Sequence, residues 1–158
     1  MQQQNDGRND FDFLIGKWKV HHFRLKERLK ACTEWEEFEG ESTDRKILNG
    51  LGNMDENILH RANGSVHAIT VRVFDPKSKE WSLYWSAEGA GTLDVPMIGG
   101  FKDGRGEFYS QEVFEGRHIF CRFIWSEIQE NSCKWEQAFS IDGGKTWETN
   151  WVMTFERQ

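Results

Sequence analysis

The 158-residue sequence predicts an all-β fold: a single antiparallel up-and-down β-barrel of about 8–10 strands with a short N-terminal helical plug. Three observations predict it. Apolar residues recur with period two along most of the chain. The runs are separated by short turns bearing Gly, Pro or Asp, with no alternation of strand and helix. The aromatic share is 14%, with twelve Phe and eight Trp, against a mean hydropathy of -0.73. Disordered chains are poor in aromatics, so this is a folded domain whose apolar mass sits in rings. Its length is that of one domain. Many short strands with short connections close most simply as a barrel, which removes exposed edges, and about eight to ten strands enclose room for one small ligand.

Residues 1–10 (MQQQNDGRND) are polar and read as a disordered tail, leaving 11–158 as the barrel domain. Phe11-Asp12-Phe13-Leu14-Ile15-Gly16 is a short apolar cluster that ends at a glycine, the length of one helical turn. Residues 18–25 open the strands. Residues 24–31 (RLKERLKA) have a helix-friendly composition and fit a helix or a long loop. Residues 33–42, around Trp35 and Phe38, and residues 53–59 are the next strands. Residues 67–75 (HAITVRVFD) are rich in β-branched side chains and pair through a Pro76 turn with 81–86. Residues 106–114 and 117–126 flank Glu115-Gly116 as a hairpin, and 132–140 and 147–157 flank Asp142-Gly143-Gly144-Lys145 as another.

Composition excludes several functions. Twenty Lys+Arg against 26 Asp+Glu leave a net charge of -6, which disfavours nucleic acid as a partner. No stretch is long and apolar enough for a membrane helix, and the first residues lack the apolar run of a signal peptide. Cys32, Cys121 and Cys133 are odd in number and lack CxxC spacing, the pattern of a reduced, cytoplasmic protein. His21 and His22 point to opposite faces of a strand and cannot chelate one metal. There is no phosphate loop and no GxSxG elbow.

The strand faces point to a pocket. In 117–126, Ile119, Cys121, Phe123 and Trp125 share one face, while Phe120, Arg122 and Ile124 share the other. Elsewhere Trp35 shares a face with Glu37, Glu56 lies between Met54 and Ile58, Arg72 lies between Thr70 and Phe74, and Gln137 lies between Trp135 and Phe139. Polar groups set among aromatic ones are the pattern of a ligand cavity, or else of buried ion pairs such as Arg72 or Arg122 with Glu37 or Glu56. On the first reading Trp35, Trp85 and Trp125 supply aromatic walls, Arg72 and Arg122 meet a carboxylate or carbonyl, and Glu37 and Glu56 orient the arginines or bind a hydroxyl. His22 lies near the cavity if Trp18 points inward.

Two motifs carry resemblances. Ser140-Ile141-Asp142-Gly143-Gly144-Lys145-Thr146-Trp147 resembles the Asp box of sialidases, a structural hairpin turn in which the Asp binds backbone amides. A single copy carries over the turn and not the activity. Gly16-Lys17-Trp18, opening the first strand after an apolar turn, resembles the G-x-W start of lipocalins, fatty-acid-binding proteins and related calycins. In those barrels the Trp sits at the closed end under a late-strand Arg or Lys, a place for Arg157 here. The wider string 11–18, with Thr33-Glu34-Trp35-Glu36-Glu37-Phe38 and Trp147-Glu148-Thr149-Asn150-Trp151, is similar to an uncharacterised bacterial DUF1579-like group. That resemblance implies a calycin-like barrel. The nitrobindin branch of such barrels binds haem through a late-strand histidine, and residues 119–158 contain none, so neither haem nor a metal is expected.

The resulting expectation is a protein that binds a small, hydrophobic or amphipathic ligand inside the barrel, through His22, Trp35, Glu37, Glu56, Arg72, Trp85, Arg122 and Trp125. Apolar residues on both faces of some strands also fit a homodimer. The alternative is acid–base catalysis of isomerase or cyclase type in the same cavity, using Glu37 or Glu56 with an arginine.

Overall fold

A computed structural model describes residues 5–158. Ten strands run in chain order: β1 (Gly16–Leu25), β2 (Trp35–Ile47), β3 (Gly52–Arg61), β4 (Gly64–Asp75), β5 (Glu80–Ala87), β6 (Met97–Lys102), β7 (Arg105–Phe114), β8 (Arg117–Ser126), β9 (Ser132–Ser140) and β10 (Glu148–Arg157). Each pairs antiparallel with the next and β1 pairs with β10, closing an up-and-down barrel. The predicted fold class stands. Strand β6 lies outside the period-two pattern because two of its six residues are glycines. Gly99 is required there: a Cβ would come within 1.9 Å of the Glu107 carbonyl oxygen. Residues 26–34 form a loop and not a helix, with φ of 60° at Leu29 and 52° at Ala31 breaking any helical path.

The plug is a single 3-10 turn, Asp12–Leu14. Phe11 and Leu14 are buried in the barrel end, with Phe11 edge-on to Trp81 and Phe101 at 5.0 and 4.8 Å. Trp18 is fully buried, and its indole N–H donates to the Leu14 carbonyl at 2.8 Å. Arg157, at the end of β10, lies 4.2 Å above the Trp18 ring and donates to the carbonyls of Ile15, Phe13 and Glu130. Gly16 has φ of 123°, and a Cβ there would meet the Arg157 guanidinium at 2.7 Å. Plug, tryptophan and arginine together close one end.

The tail read from residues 1–10 lies, for 1–4, outside the described residues. Residues 5–10 form turns held to the barrel, where the Gly7 carbonyl accepts the Trp81 indole N–H at 3.0 Å.

Two connections shape the walls. The turn after β9 is the Asp-box hairpin: Asp142 accepts from the Thr146 amide and hydroxyl, Gly143 and Gly144 take positive φ, and the Trp147 indole donates to the Gly144 carbonyl. It folds over the outer face of β8, bringing the Trp147 ring centre within 4.4 Å of the Arg122 guanidinium, which it covers. The β5–β6 seam is short. Only Trp81, Ser82 and Leu83 pair, with Gly99, Ile98 and Met97, and beyond them the 88–96 loop replaces strand, tied by the Asp94 amide to the Trp85 carbonyl at 2.7 Å.

Candidate functional site

The inward faces follow from the pleat. On β1 Trp18, Val20 and His22 are buried at alternate positions; on β8 Ile119, Cys121 and Trp125 are buried on one face. Above the plug these faces enclose a cavity of about 370 Å³. Aromatic rings form a large part of its wall, chiefly Trp85, Phe123, Trp125, Trp135, Phe139 and Trp151. Several stack edge to face, such as Trp135 on Trp151 at 5.8 Å and Phe123 on Trp135 at 4.8 Å, which fixes their rotamers and pre-shapes the space.

Polar groups enter at three depths. Near the floor Arg72 is buried, and its guanidinium donates to Asp44 Oδ2 at 2.9 Å, Asn53 Oδ1 at 2.8 Å and Asp55 Oδ2 at 2.7 Å. Asp55 also accepts from the Thr70 amide and the Asn57 side chain. Asp44 is buried, and its Oδ1 has no hydrogen-bond partner among the described residues. Burial pushes its carboxyl up to about 7, opposed by Arg72 and helped by the Asp55 charge. Midway, His22 Nδ1 accepts the Trp151 indole N–H at 3.1 Å, which leaves Nε2 as the protonated nitrogen. His22 stacks on Phe38 at 4.5 Å, and burial, with the neighbouring His21, Arg24 and Arg61, drives its pKa down to about 3, so the ring is neutral. A Cβ at Gly40 would lie 2.9 Å from His22 Nε2, so the absent side chain makes room for the ring. Gln137 donates to Asn150 Oδ1 at 2.8 Å.

At the open end stand Arg24, from the last turn of β1, and Arg28, from the 26–34 loop. Arg24 lies 4.8 Å from the Trp151 ring centre and Arg28 lies 4.9 Å from that of Phe114. Burial, with the charges of Arg28 and Arg61, lowers Arg24 to about 10. The loop is latched from below, where the Leu29 amide donates to both Glu148 oxygens.

Of the eight residues read from the sequence, His22, Arg72, Trp85 and Trp125 line this cavity together. Trp35, Glu37, Glu56 and Arg122 lie elsewhere. Trp35 is 41% exposed at the start of β2, and Glu37 faces solvent beside His21. Glu56 is exposed beside an outer groove over β3 and β4, and Arg122 lies on the outer face under Trp147. The physical reason is the parity of the pleat: the inward neighbours are Asp55 next to Glu56, and Cys121 and Phe123 on either side of Arg122. The ion pairs anticipated between Arg72 or Arg122 and Glu37 or Glu56 are replaced by Arg72 with Asp44 and Asp55. Sequence reasoning missed both aspartates and both mouth arginines. Arg24 and Arg28 share the charged RLKERLKA run with solvent-facing residues, and only the end of β1 separates them.

Among the described residues no group of His, Cys, Asp and Glu is arranged to hold a metal, and no helix is long and apolar enough to cross a membrane.

Comparison with solved structures finds the S-type phycobiliprotein lyase CPES of Guillardia theta, with a TM-score of 0.64, covering 100% of this chain and 98% of that one at 11% identity. The barrel is calycin-like. At that identity the likeness of this calycin-like barrel to the lyase is one of fold. No protein-family model and no curated protein matches the chain, so its similarity to the narrower bacterial group rests on the quoted residues alone.

Proposed function

We propose that this calycin-like barrel binds a small, mostly apolar ligand bearing a carboxylate or carbonyl group. The observation that carries this reading is the cavity of about 370 Å³, rich in aromatic rings, with polar groups at separate depths. Apolar lining rewards burial of a ligand's hydrocarbon or ring surface at roughly 25 cal/mol per Å². His22, Arg72, Trp85 and Trp125 belong to the pocket, with His22 Nε2 as a neutral donor and Arg72 as a guanidinium already held by aspartates.

The test is mass spectrometry of the purified protein under native and denaturing conditions. A small extra mass that leaves on denaturation is the expected result, and it gives the ligand's weight. A protein that stays bare after incubation with a panel of aromatic and aliphatic carboxylates overturns the reading.

One observation favours acid–base catalysis as the second reading. Asp44 titrates near neutrality behind Asp55, the carboxylate that Arg72 presents at the cavity floor. Turnover of a bound carbonyl compound that Asp55→Asn abolishes without loss of binding would distinguish it from simple binding.

A further inference from the structure

Among the described residues, two cationic side chains at the cavity mouth form no ion pair with a carboxylate. The ion pairs around them join Arg61 to Glu36, and Lys30 to Glu27 and Glu115, and leave Arg24 and Arg28 out. Arg24 Nε is buried with no acceptor among the described residues. The carboxylates that act on these two arginines are all engaged otherwise. Glu36, paired across the strands with Arg24, is held by Arg61. Glu115 is beside Lys30, and Glu148 accepts from the Leu29 amide. Asp94 and Glu112 line the same cavity, and among the described residues neither forms an ion pair with Arg24 or Arg28. Both arginines are half-buried over rings, so water solvates them poorly. An anion bound here would relieve two desolvated cations at once. At the floor the arrangement is opposite, because Arg72 is held by Asp44, Asn53 and Asp55.

We propose that Arg24 and Arg28 form an oxyanion site at the mouth, so that the ligand is an anionic amphiphile with its head at the open end and its apolar body inward. The proposal rests on the binding reading above and deepens it by naming the ligand's charge, its orientation and two anchors. A carboxylate or sulfonate suits the site, since each guanidinium offers a fork of donors to paired oxygens. Arg24 comes from the end of a strand, while Arg28 comes from a loop fixed by Glu148, so the head is met by one wall residue and one residue of the overlying strap.

The test uses two fluorescent probes with the same rings, anilinonaphthalene sulfonate and the uncharged N-phenylnaphthylamine, titrated into the full chain. The expected result is that the sulfonate binds more tightly. Arg24→Gln and Arg28→Gln are each expected to weaken it about tenfold while leaving the uncharged probe within about twofold. Arg28 lies in a loop, so its variant keeps the test independent of strand folding. Binding of both probes with no dependence on the arginines, or equal losses for both, overturns the anionic-head assignment and leaves the cavity reading intact. Failure of both probes to bind the unaltered protein overturns the cavity reading and this assignment with it.

Discussion

Arg157 shows how one side chain joins sequence, fold and stability. It covers Trp18, satisfies three carbonyls around the plug and occupies the space that a Gly16 side chain would need. Arg157→Ala therefore removes charged hydrogen bonds and a cation–π contact, and is expected to lower unfolding free energy by about 3 kcal/mol. Urea denaturation checks it. Asp44 gives a pH signature. Its folded pKa of about 7 stands above the unfolded value, so its protonated form supports the fold fully below about pH 4. That support is lost as pH rises toward 7. Asp44→Asn is expected to flatten stability between about pH 4 and 7, as measured by denaturation midpoints across that window. Loss of midpoint at the same rate in the variant would remove Asp44 from the account. These residues also mark the limit of the sequence. Asp55 and Glu56 are adjacent acids, and composition cannot say which one the pleat turns inward. Arg72 and Arg122 both sit among rings, yet the pleat turns Arg72 inward and Arg122 outward, where it meets the Trp147 ring.

The strands themselves were legible where β-branched or aromatic residues alternate, as in β4 and β8, and where a turn carries its own chemistry, as Asp142-Gly143-Gly144 does. Strand β6 was not, because Gly99 and Gly100 contribute no pattern, and Gly99 is there to let the β7 backbone approach. The 26–34 loop was ambiguous for a related reason: helix-friendly Leu, Lys, Glu and Arg fill a segment whose path is set by contacts far away in sequence. Glu148 is one of them. Glu148→Gln exchanges charge-assisted bonds to the Leu29 amide for weaker ones. The expected effect is several-fold faster hydrogen exchange at Leu29, with exchange in the middle of β8 unchanged. An unchanged Leu29 rate would show that other contacts hold the loop.

The barrel as a whole divides into a packed end and a hollow end. Phe11 belongs to the first: it is 1% exposed and packs among Trp81, Phe101 and Phe108, with Arg72 5.2 Å from its ring centre. Phe11→Ala is expected to cost about 3–5 kcal/mol and to broaden the floor of the cavity, read as a lower thermal midpoint together with a changed volume preference among bound probes. Cys121 reports on the hollow end. It lines the cavity, and burial pushes its thiol well above the usual range, so alkylation should be slow in the native state and slower still with the cavity filled. Alkylation at the rate of an exposed thiol would contradict an enclosed site.

The β5–β6 seam bears on timing. Only three residue pairs stitch these strands, against ten between β1 and β2. Beyond them the wall is a loop in which Leu93 and Val95 are each 52% exposed and Val95 also lines the cavity. A cylinder tears at its weakest stitch. The wall is therefore least held together along this seam, and amide hydrogen exchange in β5 and β6 is expected to outpace that in β1 and β2.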